Sequence, residues 1–267
     1  LAAVNHNALL SFAALPLSLF VAGCADTEGK AAPATLESQS LLALQRFYED
    51  DAGEQIAALI TLLDEQDETV PGGFYFDPLT PEDVDMFQHS DEAIWEHTAG
   101  CGVLAQVEGD MSEYVATVPQ TDQSFPDPTY DLWEREVTGG DIEAFKAGED
   151  DLETWNTIQK NYVIYTVNYS MDKDYRWHDD VLAMISLVPD GKFPAPDAVG
   201  LVVGFTIELW YVKDDSLVWY NASWTEIETP LDEEAQDTEK WLDILISGTL
   251  DYYWGTQEHA TGIKREG

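Results

Sequence analysis

Apolar and polar residues alternate through much of the second half of the chain, and this period of two constrains the fold more than any other feature. Every second residue is apolar around residues 163–171 and over residues 201–211. Because successive side chains of a β-strand point to opposite faces, this period predicts strands with one buried face. Residues 181–188 are apolar on both faces and predict a central strand, and residues 213–216 predict a hairpin turn into a strand over residues 217–228. We therefore expect a twisted antiparallel sheet.

A helix near residues 233–254 is predicted to cover this sheet. Its apolar residues leave only a narrow polar stripe, formed by Glu239, Asp243, Ser247 and Asp251. A helix that is apolar around most of its circumference is typically buried. Trp210 and Trp219 lie on the second face of their strands, so we expect the helix to pack there, with Gly248 allowing close approach to another backbone.

The first part of the chain is predicted to be mainly helical. Two amphipathic patterns over residues 36–66 predict a helical hairpin, and Thr80 followed by Pro81 predicts the start of a third helix that ends by Gly100. The next stretch predicts short elements, namely strands over residues 103–108 and 114–118 and helices over residues 131–137, 141–146 and 151–160.

The fold class that follows is α+β, with a helical N-terminal part followed by a twisted antiparallel sheet that a buried C-terminal helix covers. Residues 36–267 are predicted to form a single domain, with its helical part over residues 36–100 and its sheet-rich part over residues 101–267. This order of elements resembles that of helix-grip folds. The resemblance implies a cavity for an apolar ligand between the sheet and the last helix, but it establishes no function by itself.

The N-terminal segment is predicted to be a secretion signal. The first 23 residues contain no Asp, Glu, Lys or Arg, and their apolar run is too short and too interrupted to span a bilayer. The run ends in Val21, Ala22, Gly23 and Cys24, which resembles the lipobox of bacterial lipoproteins. That resemblance implies a signal peptide over residues 1–23 and acylation of Cys24.

An acylated Cys24 would anchor the protein to a membrane without spanning it. Residues 24–35 are small and polar and predict a flexible tether. Ala25, directly after the cysteine, favours the outer membrane in the sorting pattern of some bacteria. The expected location is therefore outside the cytoplasm, lipid-anchored at the outer membrane or the cell surface.

The charge balance excludes one class of partner. The chain has 52 acidic and 12 basic residues, for a formal net charge of −40, and such an excess repels the phosphates of nucleic acid. The acidic residues are scattered along the sequence, which favours adaptation to saline water over a specific cation site, because salt screens the self-repulsion of an anionic surface.

Three groups of residues in the sequence have the composition of a candidate site. On the predicted third helix, His89, Glu92 and Glu96 share one stripe and could bind a metal, although an ordinary solvated face is the favoured interpretation because no known ligand spacing is present. Trp177, His178 and Asp179 belong to a polar and aromatic turn that could form the rim of a ligand site. Residues 100–105 match the letters of a dinucleotide fingerprint, but a helix precedes them and a strand follows, so they are interpreted as a helix stop.

No motif predicts catalytic residues or a cofactor. The sequence favours a non-catalytic, lipid-anchored protein that acts as a binding or structural component, with a possible protein partner. The alternative is a carrier or sensor of an apolar small molecule in a helix-grip-like cavity, and a third hypothesis is a secreted hydrolase.

Overall fold

One antiparallel sheet of eight strands organises the described part of the chain, in the order β1-β2-β8-β7-β6-β5-β4-β3. The computed structural model describes residues 34–66, 72–89, 93–161, 166–188, 201–227 and 238–264. The strands are β1 (Gly72–Phe76), β2 (Ala99–Val107), β3 (Tyr130–Gly139), β4 (Leu152–Asn161), β5 (Thr166–His178), β6 (Val181–Leu187), β7 (Leu201–Lys213) and β8 (Ser216–Ile227). The helices are α1 (Leu36–Gln45), α2 (Ala52–Leu63), α3 (Met111–Val115), α4 (Ile142–Lys146) and α5 (Thr238–Thr261).

The period of two correctly predicted the strands of the second half. The β7–β8 hairpin closes with Lys213 opposite Ser216. Its two turn residues, Asp214 and Asp215, have φ angles of 50° and 64°, which is the left-handed conformation that two-residue hairpin turns require. β6 lies between β5 and β7 and is buried on both faces, as expected of a central strand.

The helical hairpin packs on one face of this sheet, as the sequence predicted for its two helices. Its buried residues, including Leu44, Phe47, Ile56 and Leu59, form a core with the odd-numbered apolar residues of β7 from Val203 onward. The Ser40 hydroxyl meets the Tyr220 hydroxyl at 2.6 Å within this interface. Leu201 departs from the predicted alternation: the register shifts between Leu201 and Val203, so Leu201 joins a cluster around Trp133 and Met171 instead.

α5 packs on the other face, where Trp219 stacks on Tyr253 with ring centroids 4.9 Å apart. Near the start of α5, a second cluster packs against Ala99 and Cys101 of β2 and consists of Leu242, Leu245 and Ile246. The helix is thus confirmed, but its burial is only partial: Ile244 is 50% exposed, and Asp243, Ser247 and Asp251 are exposed too. In the described part of the chain, no helix is both long enough and apolar enough to cross a membrane.

The prediction about Gly248 is wrong, because a Cβ at this position would meet nothing within 4 Å. The close approach occurs at Gly255, where a Cβ would lie 1.7 Å from the carbonyl oxygen of Pro126.

The predicted third helix is also wrong. Thr80 does form a capping box with Asp83, but the described residues here form only two 3₁₀ helices, Pro81–Asp83 and Trp95–His97. Gly100 lies within β2, and a Cβ there would be 2.6 Å from Trp224, so it serves close packing and does not end a helix. Because β1 and the first residues of β2 precede residue 101, the sheet extends into the segment expected to be helical.

Three further elements differ from their predictions, and one is confirmed. Residues 131–137 lie in strand β3 and residues 152–160 in strand β4, where helices were predicted. The alternation of β4 is hidden in the sequence because its buried face includes the polar side chains of Thr154 and Asn156. Residues 114–118 do not form a strand: Asp110 and Glu113 form a capping box that begins α3. The helix over residues 141–146 is confirmed as α4, with the Asp141 carboxylate capping its first turn.

Candidate functional site: a cavity beneath the C-terminal helix

A cavity of about 440 Å³ lies between the sheet and α5. Its volume falls in the usual range of small-molecule sites, roughly 300 to 1,000 Å³. Strands β3 to β8 supply one wall, and residues Ile244 to Tyr252 of α5 supply the other. Because α5 crosses the sheet face, side chains from strands that are distant in sequence converge on this space.

Aromatic side chains form one end of the cavity. Trp133 of β3 stacks on Tyr252 of α5, with ring centroids 5.5 Å apart and an interplanar angle of 25°. The Trp133 indole N–H donates to Asn156 Oδ1 at 3.0 Å. The same oxygen accepts from Arg135 Nε at 2.9 Å, so Asn156 fixes both side chains. Met171, Val188 and Leu201 extend the apolar surface around this end.

The floor of the cavity is a polar row that crosses the sheet. Lys173 of β5 pairs with Ser186 of β6, Ser186 pairs with Thr206 of β7, and Thr206 pairs with Ser223 of β8. These four side chains all line the cavity. The adjacent Thr225 also lines it, and its hydroxyl is buried without a hydrogen-bond partner among the described residues. Buried polar groups cost free energy unless they are hydrogen-bonded, so this floor suits a ligand with a polar end.

Lys173 is the most unusual member of the polar row, since it is a lysine with only 5% of its surface exposed. Its Nζ lies 5.1 Å from the ring centroid of Trp133 and 5.9 Å from that of Tyr252. Burial lowers the pKa of Lys173 to about 8; Glu208 opposes this shift and Arg135 adds to it. At neutral pH the ammonium is therefore mostly charged inside the protein.

Two further charged groups of the cavity pair with each other. Lys160 Nζ and Asp127 Oδ2 form an ion pair at 2.9 Å, and Lys160 also lies 4.5 Å from the Tyr130 ring centroid. Burial alone would raise the pKa of Asp127, but the Thr129 amide and the Lys160 ammonium outweigh it and hold this pKa below its usual value. The pair contributes no net charge.

Glu208 is buried and accepts hydrogen bonds from two neighbours. The Trp210 indole N–H donates to its Oε1 at 2.7 Å, and the Asn221 amide donates to its Oε2 at 3.4 Å. This carboxylate therefore has partners of its own within the sheet.

The turn residues proposed as a rim lie away from this cavity. The Trp177 indole donates to the Phe145 carbonyl at 3.0 Å, and Asp179, with φ of 56°, occupies the turn after β5. Trp177, His178 and Asp179 are absent from the cavity lining. Their role at the rim of a ligand site stays a prediction, for a site other than this cavity.

The possible metal ligands are not assembled in the described structure. His89 meets Trp95 edge-on, with ring centroids 4.9 Å apart, Glu96 is exposed in a 3₁₀ helix, and Glu92 lies outside the described residues. Among the residues that the structure describes, no group of three or more His, Cys, Asp or Glu side chains could hold a metal ion.

Of the remaining named residues, Val21, Ala22, Gly23 and Cys24 lie outside the described residues. Cys101 is a buried free cysteine, and burial raises the pKa of its thiol to about 11. A buried thiol with this pKa is protonated at neutral pH and acts as a packing group.

Sequence reasoning missed Lys173 as a site residue, although a signal was present. The alternation of the strand that includes Val167 and Met171 continues through Lys173 to Tyr175, and all four residues are buried. A lysine at an inward-facing position of a strand predicts a buried charge. The predicted strand ends at residue 171, and so the face of Lys173 does not enter the prediction.

Comparison with known proteins gives structural similarity only. No family model matches the sequence, and no curated protein matches it. Solved structures with a similar fold include human STARD10 (8% identity, 79% of this chain and 80% of that chain covered, TM-score 0.47). Others are a STAR-related lipid transfer protein fragment from Xanthomonas axonopodis (9%, 61% and 85%, TM-score 0.46) and human StAR-related lipid transfer protein 5 (12%, 83% and 97%, TM-score 0.45). Similarities at this level identify no ligand for this chain.

Proposed function

We propose that this protein is a carrier or sensor that binds a small amphipathic molecule between its sheet and α5. The cavity of about 440 Å³ carries this proposal. It combines an apolar end around Trp133 and Tyr252 with a floor of polar side chains, which suits a molecule that has an apolar body and a polar end. This supports the carrier or sensor hypothesis better than a purely structural role.

The volume of the cavity indicates how much of a ligand it can hold. An apolar cavity of about 150 Å³ is large enough to bind benzene. A cavity about three times larger would hold roughly 15 to 20 non-hydrogen atoms on the same scale. The part of the ligand that lies in the cavity is therefore comparable to one short chain or a small ring system.

The test uses the neutral fluorescent probe N-phenyl-1-naphthylamine and the variant Gly248→Phe. Gly248 lines the cavity and has open space around it, so a phenyl group can occupy the ligand volume. We expect saturable binding by the wild type and about tenfold weaker binding by the variant, a loss of about 1.4 kcal/mol.

The matched control is Glu258→Phe, which adds the same side chain at an exposed position of α5. Its affinity for the probe should equal that of the wild type. Absence of saturable binding to the wild type, or equal affinity of the wild type and a folded Gly248→Phe protein, would overturn the proposal. Native mass spectrometry of the freshly purified protein would reveal a ligand that is retained.

We further propose that the protein is anchored by lipid at Cys24. The support for this anchor is the sequence Val21, Ala22, Gly23, Cys24 after an uncharged leader. The expected result is an acylated mature N-terminus at Cys24 by mass spectrometry and release of a Cys24→Ser variant from the membrane fraction. A mature protein that retains its leader and a free Cys24 thiol would contradict it.

A further inference from the structure

We infer that the ligand carries a negatively charged group at its polar end, and that the Lys173 ammonium binds this end on the cavity floor. This inference rests on the proposed function, since it assigns the chemical class of the molecule in the same cavity.

The first observation is the isolation of the Lys173 ammonium. It is almost fully buried and lines the cavity. Aromatic rings flank it, and ring faces attract a cation. However, no oxygen of a described residue forms a hydrogen bond or an ion pair with Nζ. Nζ is not among the fully buried atoms that lack a partner, so it is accessible from the cavity, where an anion can accept from its three donors.

The second observation is the charge balance around it. Arg135 is buried, and its guanidinium donates to Asn156 and to the Val118 carbonyl. Glu208 accepts from Trp210 and Asn221. Among the buried groups, Lys173, Arg135 and Glu208 leave an excess of positive charge, while the Lys160–Asp127 pair is neutral. The cavity is also lined by Asp251, which is exposed. An anionic group of the ligand beside Lys173 would balance the buried excess.

The third observation is the position of hydroxyl groups beside Lys173. Ser186 is its direct cross-strand neighbour, and Thr206 follows in the same row. An anion that contacts the ammonium with one oxygen would have these hydroxyls available as donors to its other oxygens. The apolar body would then extend along Trp133, Tyr252 and Leu201, which line the same cavity.

The shared chemistry is that of an amphipathic anion, and its source could be a carboxylate or a phosphate ester. The experiment therefore uses decanoate, decyl phosphate, decanol and decylamine as competitors of the bound N-phenyl-1-naphthylamine. All titrations are made at about 1 M NaCl, where the Debye length of about 3 Å removes the long-range repulsion between anions and the acidic surface.

In the wild type we expect decanoate or decyl phosphate to compete at least about tenfold more strongly than decanol, and decylamine to be the weakest. The relative strength of the two anions identifies the head group. In Lys173→Met this preference for anions should disappear, so that decanoate, decyl phosphate and decanol compete alike. Lys146→Met, which removes a surface lysine, is the matched control and should keep the preference.

The pH dependence gives a second readout. Above about pH 8 the affinity of the wild type for decanoate should fall, whereas the affinity for decanol should not change. Equal competition by decanoate and decanol in a wild type that binds the probe would overturn this inference and leave the proposed function intact. An equal loss of affinity for decanoate and for decanol in Lys173→Met would also overturn the inference. Absence of saturable probe binding would instead contradict the proposed function itself.

Discussion

Gly255 of α5 packs directly against the backbone of Pro126, so that a Cβ on Gly255 would lie 1.7 Å from the Pro126 carbonyl oxygen and 2.4 Å from its carbon. Neither atom can move aside as the end of a flexible side chain would. Gly255 therefore sets how closely α5 approaches the segment before β3.

We expect Gly255→Ala to lower the free energy of unfolding. Overpacking typically costs about 1 to 3 kcal/mol, which exceeds the gain of about 1 kcal/mol in helix propensity when alanine replaces glycine. Gly248→Ala is the matched control in the same helix, because its Cβ meets nothing within 4 Å. This control should gain up to about 1 kcal/mol. Urea denaturation of both variants checks the prediction, and equal shifts in the same direction would refute it.

A buried hydrogen bond between the hydroxyls of Ser40 and Tyr220 joins α1 to the sheet. Ser40 Oγ also donates to the Leu36 carbonyl at 2.7 Å, so it is the acceptor for the Tyr220 hydroxyl. We expect Ser40→Ala to cost about 1 to 3 kcal/mol, because it leaves a buried phenol without an acceptor. In the Tyr220→Phe background the same substitution should cost much less. A double-mutant cycle by thermal or urea unfolding measures this coupling, and additive effects would contradict the prediction.

Lys173 should reduce stability in the absence of a ligand. Its pKa is lowered from 10.5 to about 8 in the folded protein, so between these values the unfolded chain binds more protons and stability rises with pH. Below pH 8 the buried ammonium lowers the free energy of unfolding by its full amount, about 3 kcal/mol. We expect Lys173→Met to be more stable than the wild type at pH 7 and this difference to shrink as the pH rises from 8 to 10. Chemical denaturation across this range tests it; a difference that does not change with pH would show that Lys173 is not strained by burial.

The net charge of −40 predicts that salt stabilises the fold. Screening of the self-repulsion should raise the thermal midpoint between about 0.1 and 2 M NaCl. Sucrose is the control, since it is excluded from protein surfaces without screening charge. A flat response to NaCl, or an equal rise with sucrose at matched water activity, would be inconsistent with adaptation to saline water.

The strands of the second half were predictable because their periodicity is strong and local. Val203, Phe205 and Ile207 repeat with a period of two, and the structure buries all three on one face. β3 and β4 were assigned wrongly for the opposite reason. The buried face of β4 contains Thr154 and Asn156, and polar residues of this kind are usually exposed. Asn156 is buried here because its side-chain oxygen accepts hydrogen bonds from Trp133 and Arg135 of the neighbouring strand.

The candidate site, too, could be predicted only in part. The resemblance to helix-grip folds implies a cavity between the sheet and the last helix, but it implies an apolar one, and Lys173 lies beyond the predicted end of its strand at residue 171. Its polar row joins residues of four strands, and their register depends on hairpin turns and bulges and not on the local composition of each strand.

What the sequence determined by itself is what depends on local order: the period of the strands in the second half, the two helices of the hairpin, the start of α4 and the anionic surface. What only the tertiary structure decided is which side chains meet. The isolation of the Lys173 ammonium, the neutral pair of Lys160 with Asp127 and the contact of Gly255 with Pro126 each join residues from different elements. Their energies come from burial and from neighbours that are remote along the chain, and so no local pattern records them.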